Sequence, residues 1–331
     1  MEDGAGSTGA ARRRASWWWW VIAGAALGVV LRLLFGMLPS SMEGPMSIGF
    51  LAGTPFVVGA LTVIGAPPER RTVLFLVFAP WATIGLMLLG CAVTLLEGSI
   101  CLALMAPLFL VLASFGGVVM GVVLQFFAPQ QSSRLGAIAI LPLLMLVAEG
   151  RAPLPERDVE LRREVVVDAP AAIIWNEILT ARAIRADELP LSLVHLIGVP
   201  RPLEGVNVRT EDGEVRYSRW ERGVNFRGFV TSRKENESVT WRYVFDEHSF
   251  PAGSMDDHVA IGGRHFDLRD TSFHLVPMAA GRTRLEVVAH YRISSSVNAY
   301  AVPAAAALGR DFLDTILGLY KRRSERAAQA G

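Results

Sequence analysis

The sequence predicts two domains of different fold class: an N-terminal all-α transmembrane bundle and a C-terminal α+β domain. Two observations support this division. The 331 residues are 52% hydrophobic, which is more than a water-soluble protein usually contains. Charged side chains are rare from residue 17 to residue 148, but they recur every few residues from Arg151 onward. The change in composition near Glu149 therefore predicts a domain boundary.

The predicted transmembrane region covers residues 17–149 and follows a cytoplasmic tail of residues 1–16. A helix needs roughly 20 apolar residues to cross about 30 Å of hydrocarbon. Four apolar stretches are long enough, namely residues 17–38, 47–66, 72–96 and 100–128. A fifth stretch, residues 135–148, is shorter than the usual minimum, so it crosses the membrane, lies at its surface or re-enters it.

Basic residues predict the orientation of these spans. Arginines at residues 12–14 precede the first span and a pair at residues 70–71 follows the second, whereas the loops at residues 39–46 and 97–99 carry none. Because basic loops stay in the cytoplasm, the N-terminus is predicted to be cytoplasmic. The predicted location is the plasma (inner) membrane. Four spans would return the C-terminal domain to the cytoplasm. Five spans would place it outside, which is the arrangement we favour.

Few polar groups lie inside the predicted spans. Arg32 is a functional candidate, because an unpaired charge in hydrocarbon is costly. Pairing with Glu97 at the same end of the bundle would instead give Arg32 a structural role, which we favour. Glycines of the third and fourth spans are predicted to mark close contacts between helices, and they are Gly85, Gly90, Gly116, Gly117 and Gly121.

The C-terminal domain is predicted at residues 161–328, after a linker at residues 150–160. A strand at residues 161–167 leads into Asp168 and Pro170, which are typical of a helix cap and first turn. Alternation of apolar and polar residues predicts five more strands, at residues 214–220, 224–234, 238–245, 271–277 and 284–294. A short helical patch is predicted at residues 191–197.

A long helix at residues 302–327 closes the domain. Its predicted buried stripe is formed by Leu308, Phe312, Ile316 and Leu319, which recur at helical spacing. One strand, short helices, a run of antiparallel strands and this helix make an α+β layout, in which the helix packs on the sheet.

The C-terminal domain resembles the START-like superfamily, also called SRPBCC, which includes polyketide cyclase/dehydrase-like and lipid-transfer proteins. The resemblance is carried by "REVVVDAPAAIIWNEIL" near its start and by "TRLEVVAHYRIS" before the long helix. It covers about half the chain and implies a helix-grip fold, in which a curved antiparallel sheet wraps the C-terminal helix around an apolar cavity. The whole arrangement resembles a bacterial group of membrane-attached START-like proteins.

Aromatic residues on the predicted strands and the last helix are candidates for lining such a cavity, although strand aromatics more often form core. Arginines in two loops are candidates for its mouth. The predicted ligand-binding residues are Trp220, Phe226, Trp241, Tyr243, Tyr291, Phe312, Arg201 and Arg264.

A second candidate site is the polar segment at residues 255–270. His258, His265 and Asp267, with Asp257 and other aspartates nearby, could form an acid/base or metal site. No fixed ligand spacing such as His-x-x-x-His is present, so a solvated loop with internal ion pairs is the interpretation we favour. No metal and no cofactor are predicted.

The net charge of +1 provides no field that would attract nucleic acid. Motifs for serine hydrolases, phosphate-binding loops and dinucleotide binding are absent from the sequence. The chain is therefore predicted to be a membrane-tethered protein that binds a lipid or other hydrophobic small molecule. Its two predicted partners are this molecule and the lipid bilayer. The alternatives are a cyclase- or hydrolase-like enzyme using the His258 segment, or a sensor or scaffold that binds nothing.

Overall fold

The computed structural model describes residues 4–38, 44–126, 136–150, 153–211 and 213–330. Side chains are described from residue 17 onward, except those of Gly136 and Asp257. The chain divides into two compact units, one ending at Leu154 and the other beginning at Pro155. The side chains at residues 12–14, which enter the prediction of orientation, lie outside the described part.

The first unit consists of apolar helices. They are α1 (Gly4–Gly36), α2 (Thr54–Ile64), α3 (Val73–Val93), α4 (Ser99–Phe126) and α5 (Leu141–Glu149). Three helical segments are long and apolar enough to cross a membrane, namely Trp17–Gly36, Val73–Val93 and Ser99–Phe126. The second and fifth predicted spans form shorter apolar helices, Gly49–Ile64 and Ala137–Glu149. Crossing by these two stays a prediction.

The pairing predicted for Arg32 is confirmed. Arg32 Nε donates to the Glu97 carboxylate, and Arg32 Nη2 donates to Leu96 O at 3.0 Å. Both charged side chains are buried within the helical unit. Because each charge neutralises the other and the guanidinium is hydrogen-bonded, Arg32 is not an unpaired charge, and its structural role stays our prediction.

The glycine-rich part of α4 lies against two neighbouring helices, as predicted. A Cβ on Gly116 would lie 2.0 Å from Phe56 O in α2, and a Cβ on Gly117 would lie 2.4 Å from Leu76 O in α3. The prediction for Gly85 is wrong. This residue lies on the exposed side of α3, and a Cβ there would meet nothing within 4 Å.

The second unit is an antiparallel sheet with three helices. In chain order its elements are β1 (Glu156–Val167), α6 (Ala171–Leu179), β2 (Thr180–Ala181), α7 (Leu193–Leu196), β3 (Pro202–Thr210), β4 (Gly213–Trp220), β5 (Asn225–Lys234), β6 (Ser238–Val244), β7 (Phe266–Pro277), β8 (Thr283–Ser294) and α8 (Asn298–Ala330). The strand order is β1-β8-β7-β6-β5-β4-β3-β2.

The inner face of the curled sheet packs on α8, which confirms the predicted helix-grip architecture. In β8, every second residue from Leu285 to Ile293 is buried, as expected for a strand with one apolar face. These residues share a core with Leu313, Leu317 and Tyr320 of α8 and with Trp175 of α6. The long helix therefore supplies one wall of the interior and the sheet supplies the other.

Several element boundaries differ from the prediction. β1 begins at Glu156, inside the predicted linker, because residues 156–160 pair with the end of β8. β7 likewise begins at Phe266, five residues early, because its first residues also pair with β8. Asp168 does not cap α6, since the residue before that helix is Pro170 and no side chain caps it.

The buried stripe of α8 is wider than predicted. Leu319 is buried as expected, but Phe312 and Ile316 are only partly buried, whereas Leu313, Leu317 and Tyr320 are almost fully buried. The difference arises because α8 contacts α6 and α7 as well as the sheet. A single narrow stripe of buried apolar residues is expected only for a helix that packs against one other element.

Candidate functional site

Four of the predicted ligand-binding residues gather at one end of the interior. Trp220 ends β4, Phe226 lies near the start of β5, Tyr243 lies near the end of β6, and Phe312 faces them from α8. Ring centroids are 5.2 Å apart for Trp220 and Phe226, 5.4 Å for Trp220 and Phe312, and 5.6 Å for Phe226 and Tyr243. We call these four residues, with Phe245 and Phe250, the aromatic cluster.

Strand register explains why the cluster forms. Ser218 pairs with Phe226, and Gly228 pairs with Tyr243, so inward residues of β4, β5 and β6 lie side by side. Gly228 has no side chain, which leaves the Phe226 and Tyr243 rings free to approach each other. The result is a continuous aromatic surface that a planar or aliphatic molecule could contact.

His195 adds a polar atom beside this surface. Its ring lies 6.1 Å from that of Phe312, and its Nδ1 lies 3.0 Å from Val199 O. Because a carbonyl oxygen only accepts, Nδ1 carries the proton and Nε2 presents a lone pair. Nε2 is buried and has no hydrogen-bond partner among the described residues. Burial also lowers the pKa of His195, which favours this neutral form.

A buried cation lies deeper in the interior. Arg216 is 8% exposed. Its Nη1 donates to Ile178 O at 2.7 Å and to Asn207 Oδ1 at 3.3 Å, and its Nη2 donates to Tyr320 Oη at 3.0 Å. The guanidinium carbon lies 4.9 Å from the centre of the Trp241 ring. In the described part of the chain, no carboxylate forms an ion pair with Arg216, so hydrogen bonds and the aromatic face balance its charge.

The predicted residues Trp241 and Tyr291 lie in the main core, apart from the aromatic cluster. Both are almost fully buried, and Trp241 Nε1 and Tyr291 Oη have no partner among the described residues. Burial raises the pKa of Tyr291 to about 12, so its hydroxyl keeps its proton at neutral pH. Both groups can therefore donate a hydrogen bond into the interior.

The two predicted arginines lie in loops. Arg201 is exposed and forms a 3.7 Å ion pair with Glu221, and its backbone N–H also donates to that carboxylate. Arg264 lies exposed in the loop that precedes β7. Both loops are at the end of the sheet where the aromatic cluster lies, because β3 begins and β7 begins at that end.

Two of the predicted acid/base residues, His265 and Asp267, have partners other than each other. His265 Nδ1 lies 3.1 Å from Ser294 O, and Asp267 forms ion pairs with Arg292 at 3.7 Å and Arg269 at 3.9 Å. Asp267 lies on the outer face, opposite its neighbours Phe266 and Leu268 in the core. His258 lies partly buried in a loop, and the Asp257 side chain is outside the described part.

The described residues contain no group of three or more His, Cys, Asp or Glu that could hold a metal ion. Two close histidine–carboxylate contacts lie on the outer face, where His290 Nδ1 lies 2.7 Å from Asp270 and Nε2 lies 3.3 Å from Glu160. The hydrogen bond to Asp270 raises the pKa of His290. These side chains are partly exposed, as expected for a solvated ion-pair network.

An open concavity of about 470 Å³ also lies on the outer side of β3, β4 and β5. Its wall includes the outward-facing residues Val206, Tyr217 and Arg227. Two ion pairs cross its rim, Arg219 with Glu204 at 3.0 Å and Arg227 with Asp246 at 3.6 Å.

Sequence reasoning missed His195 and Arg216. His195 is followed by Pro200 and Pro202, and this stretch matches no motif that would assign the histidine a role. Arg216 could have been found, since it shares the inward alternation of β4 with Ser218 and Trp220. An arginine at an inward strand position is unusual, because arginine is almost never buried unless it is paired.

No protein-family model matches the sequence, and no curated protein matches it. Solved structures similar to the chain include a START superfamily protein from Mycobacterium smegmatis, with 16% identity and a TM-score of 0.34, covering 51% of this chain and 98% of that one. An aromatase/cyclase from a Streptomyces species has 14% identity and a TM-score of 0.33, covering 53% and 99%.

Norcoclaurine synthase from Thalictrum flavum is also similar, with 9% identity and a TM-score of 0.30, covering 52% of this chain and 96% of that one. All three structures match about half of this chain over nearly their whole length. Identities of 16% or less carry no information about the ligand or the reaction of this chain.

Proposed function

We propose that the chain is a membrane-anchored binding protein, which holds a lipid or other hydrophobic small molecule between the sheet and α8 of its second unit. The aromatic cluster is the observation that carries this proposal. Its rings come from three strands, the loop after β6 and a helix, and they form one apolar surface beside a histidine with a free lone pair. Apolar contact at about 25 cal/mol per Å² would stabilise a ligand without any catalytic group.

Polar atoms in the same interior suit a ligand with an oxygen-bearing end. Trp241 Nε1 and Tyr291 Oη can donate hydrogen bonds, whereas His195 Nε2 can accept one. Buried polar atoms without a partner cost free energy, so a ligand that supplies partners gains affinity there. Trp220, Phe226, Tyr243 and Phe312 would contact its apolar part.

The apolar helices of the first unit would anchor this binding site to a membrane. We place the N-terminus in the cytoplasm, because the arginines at residues 12–14 precede the first span. Passage of both shorter apolar helices, Gly49–Ile64 and Ala137–Glu149, through the bilayer would make five spans and put the second unit outside the cytoplasm. A reporter that is active only in the cytoplasm can be fused after Gly331. Activity of this reporter would contradict that placement.

The binding proposal can be tested on the full chain. A protease site is introduced into residues 150–155, the chain is purified in nanodiscs, and the second unit is released by cleavage. Mass spectrometry of its organic extract should then show a hydrophobic molecule in near-stoichiometric amount. Lipid bound only to the helical unit stays with the disc.

Two phenylalanine variants provide a matched comparison. Phe226→Ala removes a ring from the aromatic cluster, whereas Phe273→Ala removes an equally buried ring from the main core on the same face of the sheet. Both should destabilise the unit by about 3–5 kcal/mol. Only Phe226→Ala should reduce the amount of extracted molecule. An empty extract from the parent unit, or equal loss in both variants, would contradict the proposal.

A further inference from the structure

Arg216 places a positive charge in the interior of the second unit, where the residue is 8% exposed. Its hydrogen-bond acceptors are Ile178 O, Asn207 Oδ1 and Tyr320 Oη, all of which are neutral. These acceptors and the Trp241 ring stabilise the guanidinium, but they carry no opposite charge. A charge taken out of water is costly unless an opposite charge lies beside it.

Arg323 of the same unit shows the more usual arrangement. Its side chain is also largely buried, at 13% exposure, and its Nη2 lies 2.6 Å from the Glu188 carboxylate. No carboxylate of the described residues forms such a pair with Arg216. The counter-charge that Arg323 finds within the chain is therefore missing at Arg216.

Arg216 also has donors that are not used. A guanidinium carries five N–H groups. Three hydrogen bonds leave at least two of them, including that of Nε, without an acceptor among the described residues. A carboxylate can accept from two N–H groups of one guanidinium at once, which is the strongest contact that arginine makes.

Strand register places this cation next to the aromatic cluster. Arg216 pairs with Gly228, and Gly228 pairs with Tyr243, so the three residues form one row across β4, β5 and β6. Gly228 has no side chain to separate the other two. The guanidinium carbon lies 4.9 Å from the centre of the Trp241 ring, and Trp241 lies on the same face of β6 as Tyr243. Arg216 therefore lies at the border between the aromatic cluster and the main core.

The groups around the guanidinium are suited to donate hydrogen bonds. Tyr320 Oη accepts from Arg216 and keeps its own proton to donate. Trp241 Nε1 can only donate, and it has no partner among the described residues. A negatively charged oxygen complements donors and a cation, whereas an ammonium group would be repelled by Arg216.

We propose that the molecule held by the second unit is an amphiphilic carboxylic acid, whose carboxylate pairs with Arg216 and whose apolar part lies along the aromatic cluster. This inference rests on the proposed function and deepens it, because it names the chemical class of the bound molecule. One carboxylate neutralises one guanidinium. A doubly charged phosphate would instead leave a negative charge in the interior.

Competition between two probes of equal chain length tests the proposal on the full chain. Deuterated hexadecanoic acid and deuterated hexadecanol are added in equal amounts to phosphatidylcholine nanodiscs that hold the chain, at an alkaline pH where the acid is ionised. The second unit is then released through a protease site in residues 150–155. Mass spectrometry measures both probes in its extract, relative to their amounts in the discs. The acid should be enriched several-fold over the alcohol.

Two arginine variants show whether Arg216 causes the enrichment. Arg216→Met removes the buried cation and should abolish the enrichment. Arg219→Met removes an exposed arginine from the outer face of the same strand and should preserve it. The comparison of the two probes in the parent chain requires no variant, so it decides the matter even if Arg216→Met does not fold.

The outcomes separate this inference from the proposed function. Equal recovery of the two probes from the parent, or unchanged enrichment in folded Arg216→Met, would overturn the inference and leave the binding of a hydrophobic molecule standing. Recovery of neither probe would also overturn it. If the parent unit in addition carried no co-purifying molecule, the proposed function would be contradicted as well.

Discussion

Arg216 is a charged residue at a position of β4 where the alternating pattern places side chains in the interior. Alternation in β4 predicts that Arg216, Ser218 and Trp220 share a face, and the structure places that face inward. A buried guanidinium is stable there because it binds Ile178 O at the end of α6, where carbonyl groups lack helical partners. Those partners are distant in sequence, so the strand pattern alone could not identify them.

Replacing Arg216 should therefore cost far more stability than replacing its outward neighbour. Arg216→Met keeps much of the volume but leaves Ile178 O and Tyr320 Oη without their partner, which should cost about 1–3 kcal/mol. Arg219→Met removes only an exposed ion pair with Glu204, which should cost less than about 0.5 kcal/mol. Thermal unfolding of both variants in nanodiscs measures the difference. Equal losses of stability in the two variants would show that the buried contacts of Arg216 do not stabilise the fold.

Glu188 gives a second prediction for a single residue, and this one depends on pH. Its carboxylate accepts from Arg323 at 2.6 Å, from Arg326 at 3.0 Å and from the Arg185 N–H at 3.0 Å. Burial alone would raise the pKa of Glu188, but these donors outweigh burial and lower it from 4.5 to about 2. The ionised carboxylate therefore stabilises α8 against the turn at Ala186–Glu188.

Because the folded pKa is depressed, the contribution of Glu188 is complete above about pH 4.5 and declines as the pH falls toward 2. Glu188→Gln should lower the free energy of unfolding at pH 7 by about 1–3 kcal/mol. The gap between parent and variant should narrow between pH 5 and pH 3. A gap that stays constant with pH would mean that the charge is not the cause.

At the scale of elements, the helical unit depends on close contact between backbones. Gly116→Ala would force a methyl group against Phe56 O and should destabilise the α2–α4 contact by about 1–3 kcal/mol. Gly85→Ala, in open space on α3, is the matched control and should have no such cost. The midpoint of thermal unfolding in nanodiscs compares the two. A larger effect at Gly85 would contradict the packing described for α4.

Strands with clear alternation were predictable, and those with interrupted patterns were not. Residues 214–220 and 284–294 alternate, and the structure has β4 and β8 there within one residue. β3 was missed because Pro200 and Pro202 indicate an extended loop. The strand nevertheless forms, since Pro202 is its first residue and needs no ladder hydrogen bond from its nitrogen.

The candidate site was partly predictable for the same reason. Trp220, Phe226 and Tyr243 lie on strands in which apolar and polar residues alternate. The inward direction of their side chains therefore follows from the sequence. Arg201 and Arg264 lie in loops, where no periodicity constrains the side chain. His195 becomes relevant only because α7 packs on α8 beside Phe312, which is a tertiary contact.

For the whole molecule, one end of the second unit carries two features at once. The first residue of β1, which follows the connection to the apolar helices, lies there, and the aromatic cluster lies there too. Proteins place binding groups in loops at the end of a rigid scaffold. The account therefore predicts that a ligand contacts the second unit at this end.

An experimental density map of the second unit, released by cleavage from chain purified in a membrane, tests this account most directly. The account predicts non-protein density in contact with Trp220, Phe226 and Phe312, with a polar atom within hydrogen-bond distance of His195 Nε2. Side chains that fill this space completely, with no density left for a ligand, would contradict it.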